Sequence, residues 1–258
     1  MMDMMVFNEK DIQYLVTESV KKILSEGQTL VDNFDMVANM LDINSDDDFH
    51  FVQIMKRKKD NPNDDITKGN YYGGTWYLCG FRVHNAQELM ALKPQIIDIC
   101  TKENARAYIS INNRSDKDTD SYIKIFKKQF RPTDARFKYA DQIVPGNAKT
   151  GPNWKGVRKR VLVDIDVPQD AKTPEGDNIW DEVRYLIKMV GITPITEYTT
   201  PSGGLHIVLP DKEDKKYYYL KRMFQRFDNW QDKGNYSTVH PKEDGKIILY
   251  SNVKTKGY

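Results

Sequence analysis

Apolar positions recur along the chain with two spacings. From Asn8 to Ser25, Ile12, Leu15, Val16, Val20 and Ile23 fall on one side of a helical repeat and predict an amphipathic helix; a second helix is expected over Leu30 to Leu41. Phe51 to Lys58 and Thr75 to Val83 alternate as strands, with polar Asp60 to Asn70 as a loop between them. A helix follows over Ala86 to Thr101, where Asn85 can accept a free helical N–H and Glu88 can reach back. Ala105 to Asn112 predicts a strand and Thr119 to Gln129 a short helix. Arg131 to Lys159, with Pro132, Pro145, Gly146, Gly151 and Pro152, has little period and predicts a long loop.

The second half is more regular. Arg160 to Val167 is a β-branched run of the kind buried on both faces of a sheet. Asp177 is the expected cap of a helix with Ile179, Val183, Leu186 and Val190 inward and Gly191 as its stop. Ile195 to Thr200 and Leu205 to Leu209 predict a hairpin, Glu213 to Phe227 a helix, and Tyr236 to Val239 and Lys246 to Tyr250 two closing strands. Hairpins mixed with helical crossovers predict an α+β fold with an antiparallel or mixed sheet. Residues 1–104 are expected to form an N-terminal α/β unit and 105–258 the unit carrying the chemistry, the two packed as one compact domain.

Composition narrows the class. Hydrophobic residues are 39% and charged residues 29%, a globular balance. No apolar run approaches the roughly 20 residues of a membrane span. Met1 to Lys10 has neither the basic flank nor the apolar stretch of a secretion signal, and Cys79 and Cys100 lack metal-ligand spacing. A cytoplasmic protein is expected. The net charge of +2 says little, but Lys149 to Arg160 is locally basic, which a nucleic-acid binder requires.

Two motifs carry candidate chemistry. In Val161-Leu-Val-Asp164-Ile-Asp166-Val167, strand alternation projects both carboxylates from one face while Val161, Val163, Ile165 and Val167 enter the core. Such a pair can hold Mg²⁺ or Mn²⁺ with substrate phosphates completing the shell; it also fits a strand end running into a solvated turn. In Thr200-Pro-Ser202-Gly203-Gly204-Leu-His206, the glycines permit a sharp turn whose N–H groups can cradle a phosphate, with Ser202 and His206 as further donors. A plain hairpin turn with a buried histidine fits as well. One helix and one strand lie between Asp166 and His206, enough for the chain to return beside its starting strand and bring both motifs to one cleft.

These residues resemble the archaeo-eukaryotic primase and primase–polymerase superfamily, whose members share a hydrophobic strand ending in Asp-x-Asp, here Asp164-Ile-Asp166, and a small-residue turn before x-His, here Ser202-Gly-Gly-Leu-His206. The resemblance covers roughly Ala105 onward. It implies an RRM-like sheet with an N-terminal α/β unit and template-directed nucleotidyl transfer with two divalent cations, Mg²⁺ or Mn²⁺. Asp164, Asp166 and His206 would be catalytic, and Ser202, Gly203, Gly204, His206, Arg114 and Lys254 would contact a nucleoside triphosphate. The family's late carboxylate is replaced: His240, in Val239-His-Pro241, takes its place as the third metal ligand. That implies either a changed metal preference or a site retained without catalysis, unless Asp232, Glu243 or Asp244 substitutes.

Lys149, Trp154, Lys155, Arg158 and Lys159 form a basic and aromatic segment suited to a single-stranded template. The expected partners are NTP or dNTP, a single-stranded DNA or RNA template and a separately encoded replicative helicase, in a phage or mobile-element setting by family analogy. Lys242-Glu-Asp244-Gly245 matches the Lys-x-Asp-Gly of covalent nucleotidyltransferases, but too little chain follows it for their adenylation domain. Two rival functions stay open: a degenerate primase-like module that binds nucleic acid or nucleotide, and a metal-dependent phosphohydrolase or nuclease.

Overall fold

The computed structural model describes residues 28–41, 46–58, 60–64, 71–72, 75–146, 160–210, 213–227 and 239–254. The helix expected over Asn8 to Ser25 and the basic segment from Lys149 to Lys159 lie outside them. The described chain is α+β, with two antiparallel sheets and seven α-helices.

The larger sheet combines strands from both ends of the chain. Its order is β1 (Gln28–Asp32), β11 (Lys246–Lys254), β5 (Arg106–Ser110), β2 (Asp48–Arg57), β4 (Thr75–Val83) and β3 (Tyr71–Tyr72), with the two-residue β6 (Arg114–Ser115) pairing separately with β2. One face packs on α1 (Phe34–Ala38) and α2 (Ala86–Glu103): Phe34, Val37, Leu89, Ile96 and Cys100 meet Val52, Ile54, Ala107, Ile109 and Leu249. The opposite face carries Met55, Tyr77, Tyr108 and Ile248.

The second sheet has the order β10 (Val239–Lys242), β7 (Val161–Ile165), β9 (Leu205–Leu209) and β8 (Thr196–Thr199). One side is apolar and packs on α6 (Ile179–Met189) and α7 (Asp214–Phe224), burying Val163, Ile165 and Ile207 against Val183, Leu186, Leu220 and Phe224. Leu162 and Val208, on its other side, reach the core of the larger sheet and tie the two together. Pro241 sits in β10 without disturbing the ladder because β10 is an edge strand.

Local signals held at several ends. Asn85 Oδ1 accepts from Glu88 N at 2.8 Å, while Glu88 reaches back to His84 N at 2.7 Å. Gly191 ends α6 with φ +70°, a conformation costly for any residue with a side chain.

Three expectations are corrected. Leu30 to Leu41 is not one helix: Gln28–Asp32 is a strand because β11 supplies a ladder for it, and the helix starts only at Phe34. The long loop contains α4 (Ala135–Lys138) and α5 (Ala140–Gly146) after α3 (Asp116–Lys127); Asp134 caps α4, and Val144 packs with Ile123 of α3. Asn178, not Asp177, caps α6, accepting from Asp181 N at 3.1 Å, since the Asp177 backbone is engaged in a turn with Thr173.

Candidate functional site

A cleft of about 510 Å³ opens between the two sheets. Leu162, Asp164, Asp166, Thr200, Ser202, His206 and Lys242 form one wall; Met55, Arg57, Tyr77, Arg106, Tyr108, Lys246 and Ile248 face them.

Register builds the first wall. Asp164 of β7 lies opposite His206 of β9, and His206 opposite Tyr198 of β8. Directly opposed residues share a face, so one row of side chains crosses the sheet. His206 Nε2 stands 2.9 Å from Asp164 Oδ1, and the Tyr198 hydroxyl 2.5 Å from His206 Nδ1. The Tyr198 oxygen accepts from Ile248 N at 3.3 Å, which turns its own proton toward Nδ1. Burial pushes the Tyr198 phenol well above 10, with the Asp164 charge adding to this against the Ile248 hydrogen bond, so the phenol stays a donor. This order of donors assigns the imidazole proton to Nε2, the nitrogen beside Asp164.

Lys242 on β10 donates to Asp164 Oδ2. Burial alone would raise the Asp164 carboxyl, but the contacts with His206 and Lys242 outweigh it and hold Asp164 well below the usual carboxylate range. Oδ1 is nonetheless buried without an aligned hydrogen-bond donor among the described residues. Asp166, just past β7, is exposed and pairs with no other described residue.

These observations test the divalent cation that the resemblance implies. Mg²⁺ and Mn²⁺ favour oxygen ligands, and Mg²⁺ sites commonly take one or two carboxylates with phosphate and water completing the shell. Asp164 and the exposed Asp166, which line the same cleft wall, fit that donor set. Among the described residues no group of three or more His, Cys, Asp or Glu could hold a metal. Two carboxylates fit a cation whose shell substrate phosphates and water would complete. His240, expected as the third ligand, is opposite Asp164 in register and so shares its face of the sheet; it also borders a groove at the β10 edge with Lys221, Phe224 and Gln225.

The turn differs from its expected role. Gly203 has φ +83°, and its N–H donates to Thr200 O at 2.9 Å; Gly204 N–H donates to Thr200 Oγ1 at 3.0 Å. Both N–H groups close the hairpin and are turned away from an anion. A Cβ on Gly204 would stand 2.3 Å from Ile165 O, so this glycine is needed for close strand approach. Ser202 alone of the three turn residues Ser202, Gly203 and Gly204 lines the cleft.

Arg114, expected to contact phosphate, is buried and structural. It donates to Asp244 Oδ2 at 2.7 Å and to Asn112 O at 2.7 Å. Asn112 in turn accepts from Arg160 N at 2.8 Å, immediately before β7. This frame fixes the start of the Asp164 strand and the turn between β10 and β11. Lys254 ends β11 opposite Gln28, and its side chain lies outside those described. Lys149, Trp154, Lys155, Arg158, Lys159 and Asp232 lie outside the described residues.

The facing wall holds groups that motif reading missed. Lys246 reaches Gln53 Oε1 at 2.5 Å; burial, aided by the Arg114 charge and opposed by Asp244, pulls its ammonium down to about 8. Arg57 lies 5.3 Å over the Tyr108 ring, whose phenol burial pushes up. Arg106 is engaged with Asp60 through bonds of 2.8 and 2.7 Å. Lys242 and Tyr198 had a sequence signal, since each is two residues along its strand from a face already marked; the facing wall had none. Comparison with protein families, curated proteins and solved structures finds no match for this chain. No described helix is long and apolar enough to cross a membrane.

Proposed function

We propose that this protein is a metal-dependent nucleotidyltransferase of the primase–polymerase type, with an RRM-like second sheet, acting on nucleoside triphosphates along a nucleic-acid template. The observation that carries this reading is the Asp164–His206 contact across adjacent strands, with Asp166 and Ser202 on the same cleft wall. In this reaction a primer 3′ oxygen bonds to the α-phosphorus, the bond to the β-phosphate breaks, and pyrophosphate leaves. A divalent cation would neutralise charge on the phosphates and activate the attacking oxygen. Asp164 and Asp166 would hold it. His206, oriented by Tyr198, would hold Asp164 in place through its Nε2 beside Oδ1; Ser202 adds a hydroxyl donor, and Arg57 and Lys246 supply positive charge from the opposite wall.

The test is labelled-nucleotide incorporation on primed and unprimed oligonucleotide templates with Mn²⁺ or Mg²⁺. Wild type is expected to extend or initiate strands, and Asp164→Ala to lose at least about 100-fold of that rate, the scale of removing a group that acts chiefly in the transition state. Incorporation that survives the substitution would overturn the reading.

A second reading, a primase-like module that binds nucleotide or nucleic acid without turnover, is favoured by Lys242 on Asp164 and by an imidazole, His240, where the resemblance implies a third carboxylate. Tight, metal-independent oligonucleotide binding without product would establish it. Release of nucleotide from a labelled strand without extension would indicate phosphodiester hydrolysis instead.

A further inference from the structure

The two oxygens of Asp164 have different neighbours. Oδ1 is buried beside His206, whereas Oδ2 carries the Lys242 ammonium. Lys242 stands on an edge strand opposite Leu162, diagonal to Asp164 on the same face. Its side chain is 49% exposed, against 10% for Asp164, so its head can leave the carboxylate without opening the core. It borders both the cleft and the adjoining groove, and therefore has somewhere to go. An ammonium and a divalent cation cannot both sit on one carboxylate oxygen, because their charges repel at that distance.

We propose that Lys242 is an exchangeable counter-ion: it occupies Asp164 Oδ2 in the free protein, yields that oxygen to a divalent cation arriving with a nucleoside triphosphate, and then pairs with the triphosphate. This inference rests on the nucleotide-site reading above. The exchange solves two problems with one side chain. Without metal, a buried carboxylate would stand next to Asp166 with too little compensation. With metal and triphosphate bound, the displaced ammonium meets the excess negative charge of the phosphates. Metal alone must then compete with a tethered cation, while metal and triphosphate assist each other, a coupling that linkage makes reciprocal.

The experiment is Mn²⁺ titration, followed by electron paramagnetic resonance of the free ion, on wild type, Lys242→Met and Asp164→Ala. Each is measured with and without a non-hydrolysable ATP analogue, and folding is checked by circular dichroism. Lys242→Met is expected to bind Mn²⁺ alone about tenfold tighter than wild type and, at saturating Mn²⁺, to bind the analogue about tenfold more weakly. Unchanged or weaker Mn²⁺ affinity in Lys242→Met, with binding still lost in Asp164→Ala, would overturn the exchange and leave the site reading standing. Mn²⁺ affinity unaffected by Asp164→Ala would overturn both.

Discussion

The charged groups of the Arg114 frame and those around Asp164 lie close together but are built differently. Arg114 and Asp244 have side chains 1% and 9% exposed, joined at 2.7 Å, and Arg114 also holds Asn112 O. Neither partner has an easy alternative: a guanidinium keeps its charge, and Asp244 is anchored beside β11. Arg106 and Asp60, each 3% exposed, repeat this closed arrangement on the larger sheet. Asp164 is equally buried, but its partners are an imidazole on the neighbouring strand and a half-exposed ammonium that is able to change position. Closed pairs position backbone; a buried carboxylate with replaceable partners is equipped to receive a ligand.

The sharpest way to break this comparison is to delete one charge from each region. Arg114→Met leaves Asp244 buried and unpaired and is expected to cost about 3–5 kcal/mol of stability. Asp164→Ala, whose loss frees Lys242 to solvent and leaves one buried imidazole N–H without its neighbour, is expected to cost only about 1–2 kcal/mol. Urea unfolding of the two variants gives both values, and similar losses would show that the distinction is false.

Tyr198→Phe sharpens the comparison within the Asp164 row. It removes the donor to His206 Nδ1 and leaves Ile248 N without its acceptor, so a stability loss of about 1 kcal/mol is expected. With the tautomer no longer fixed, the nucleotide-incorporation rate should fall roughly tenfold, a typical penalty for an orienting partner. A wild-type rate would remove Tyr198 from the relay.

The smallest effect concerns the opposite wall. Lys246 has its ammonium lowered to about 8 from 10.5, so the folded state sheds this proton first. The charged form therefore weighs against folding below pH 8, and that penalty fades as pH rises from 8 toward 10.5. Anion binding runs the other way: triphosphate affinity should weaken about two- to threefold between pH 7 and 9 as one of several positive charges is lost. Lys246→Met should flatten that profile, which calorimetric titration across the range would show.

Much of the Asp164 wall was legible because strand geometry is local. Asp164 and Asp166 share a face through alternation alone, and the turn before His206 announces itself by Ser202-Gly-Gly. The roles within the turn were not legible, since glycine serves an anion cradle and a tight strand approach equally well; the 2.3 Å separation from Ile165 O decides for the latter. Arg114 misled for a related reason: an arginine after a strand reads the same whether it meets phosphate or a distant aspartate.

The sequence by itself determined the alternation that gives each strand an apolar and a chemical face, the Asn85 cap, the Gly191 stop and the α+β order of elements. Only the tertiary structure decided that β1 is a strand, that Asp164 meets His206 and Lys242, and that Lys246 faces them across a cleft. Periodicity and capping act within a few residues and are written in them. Register between distant strands is set by which pairing buries both sheets at once, a property of the whole chain that no single segment carries.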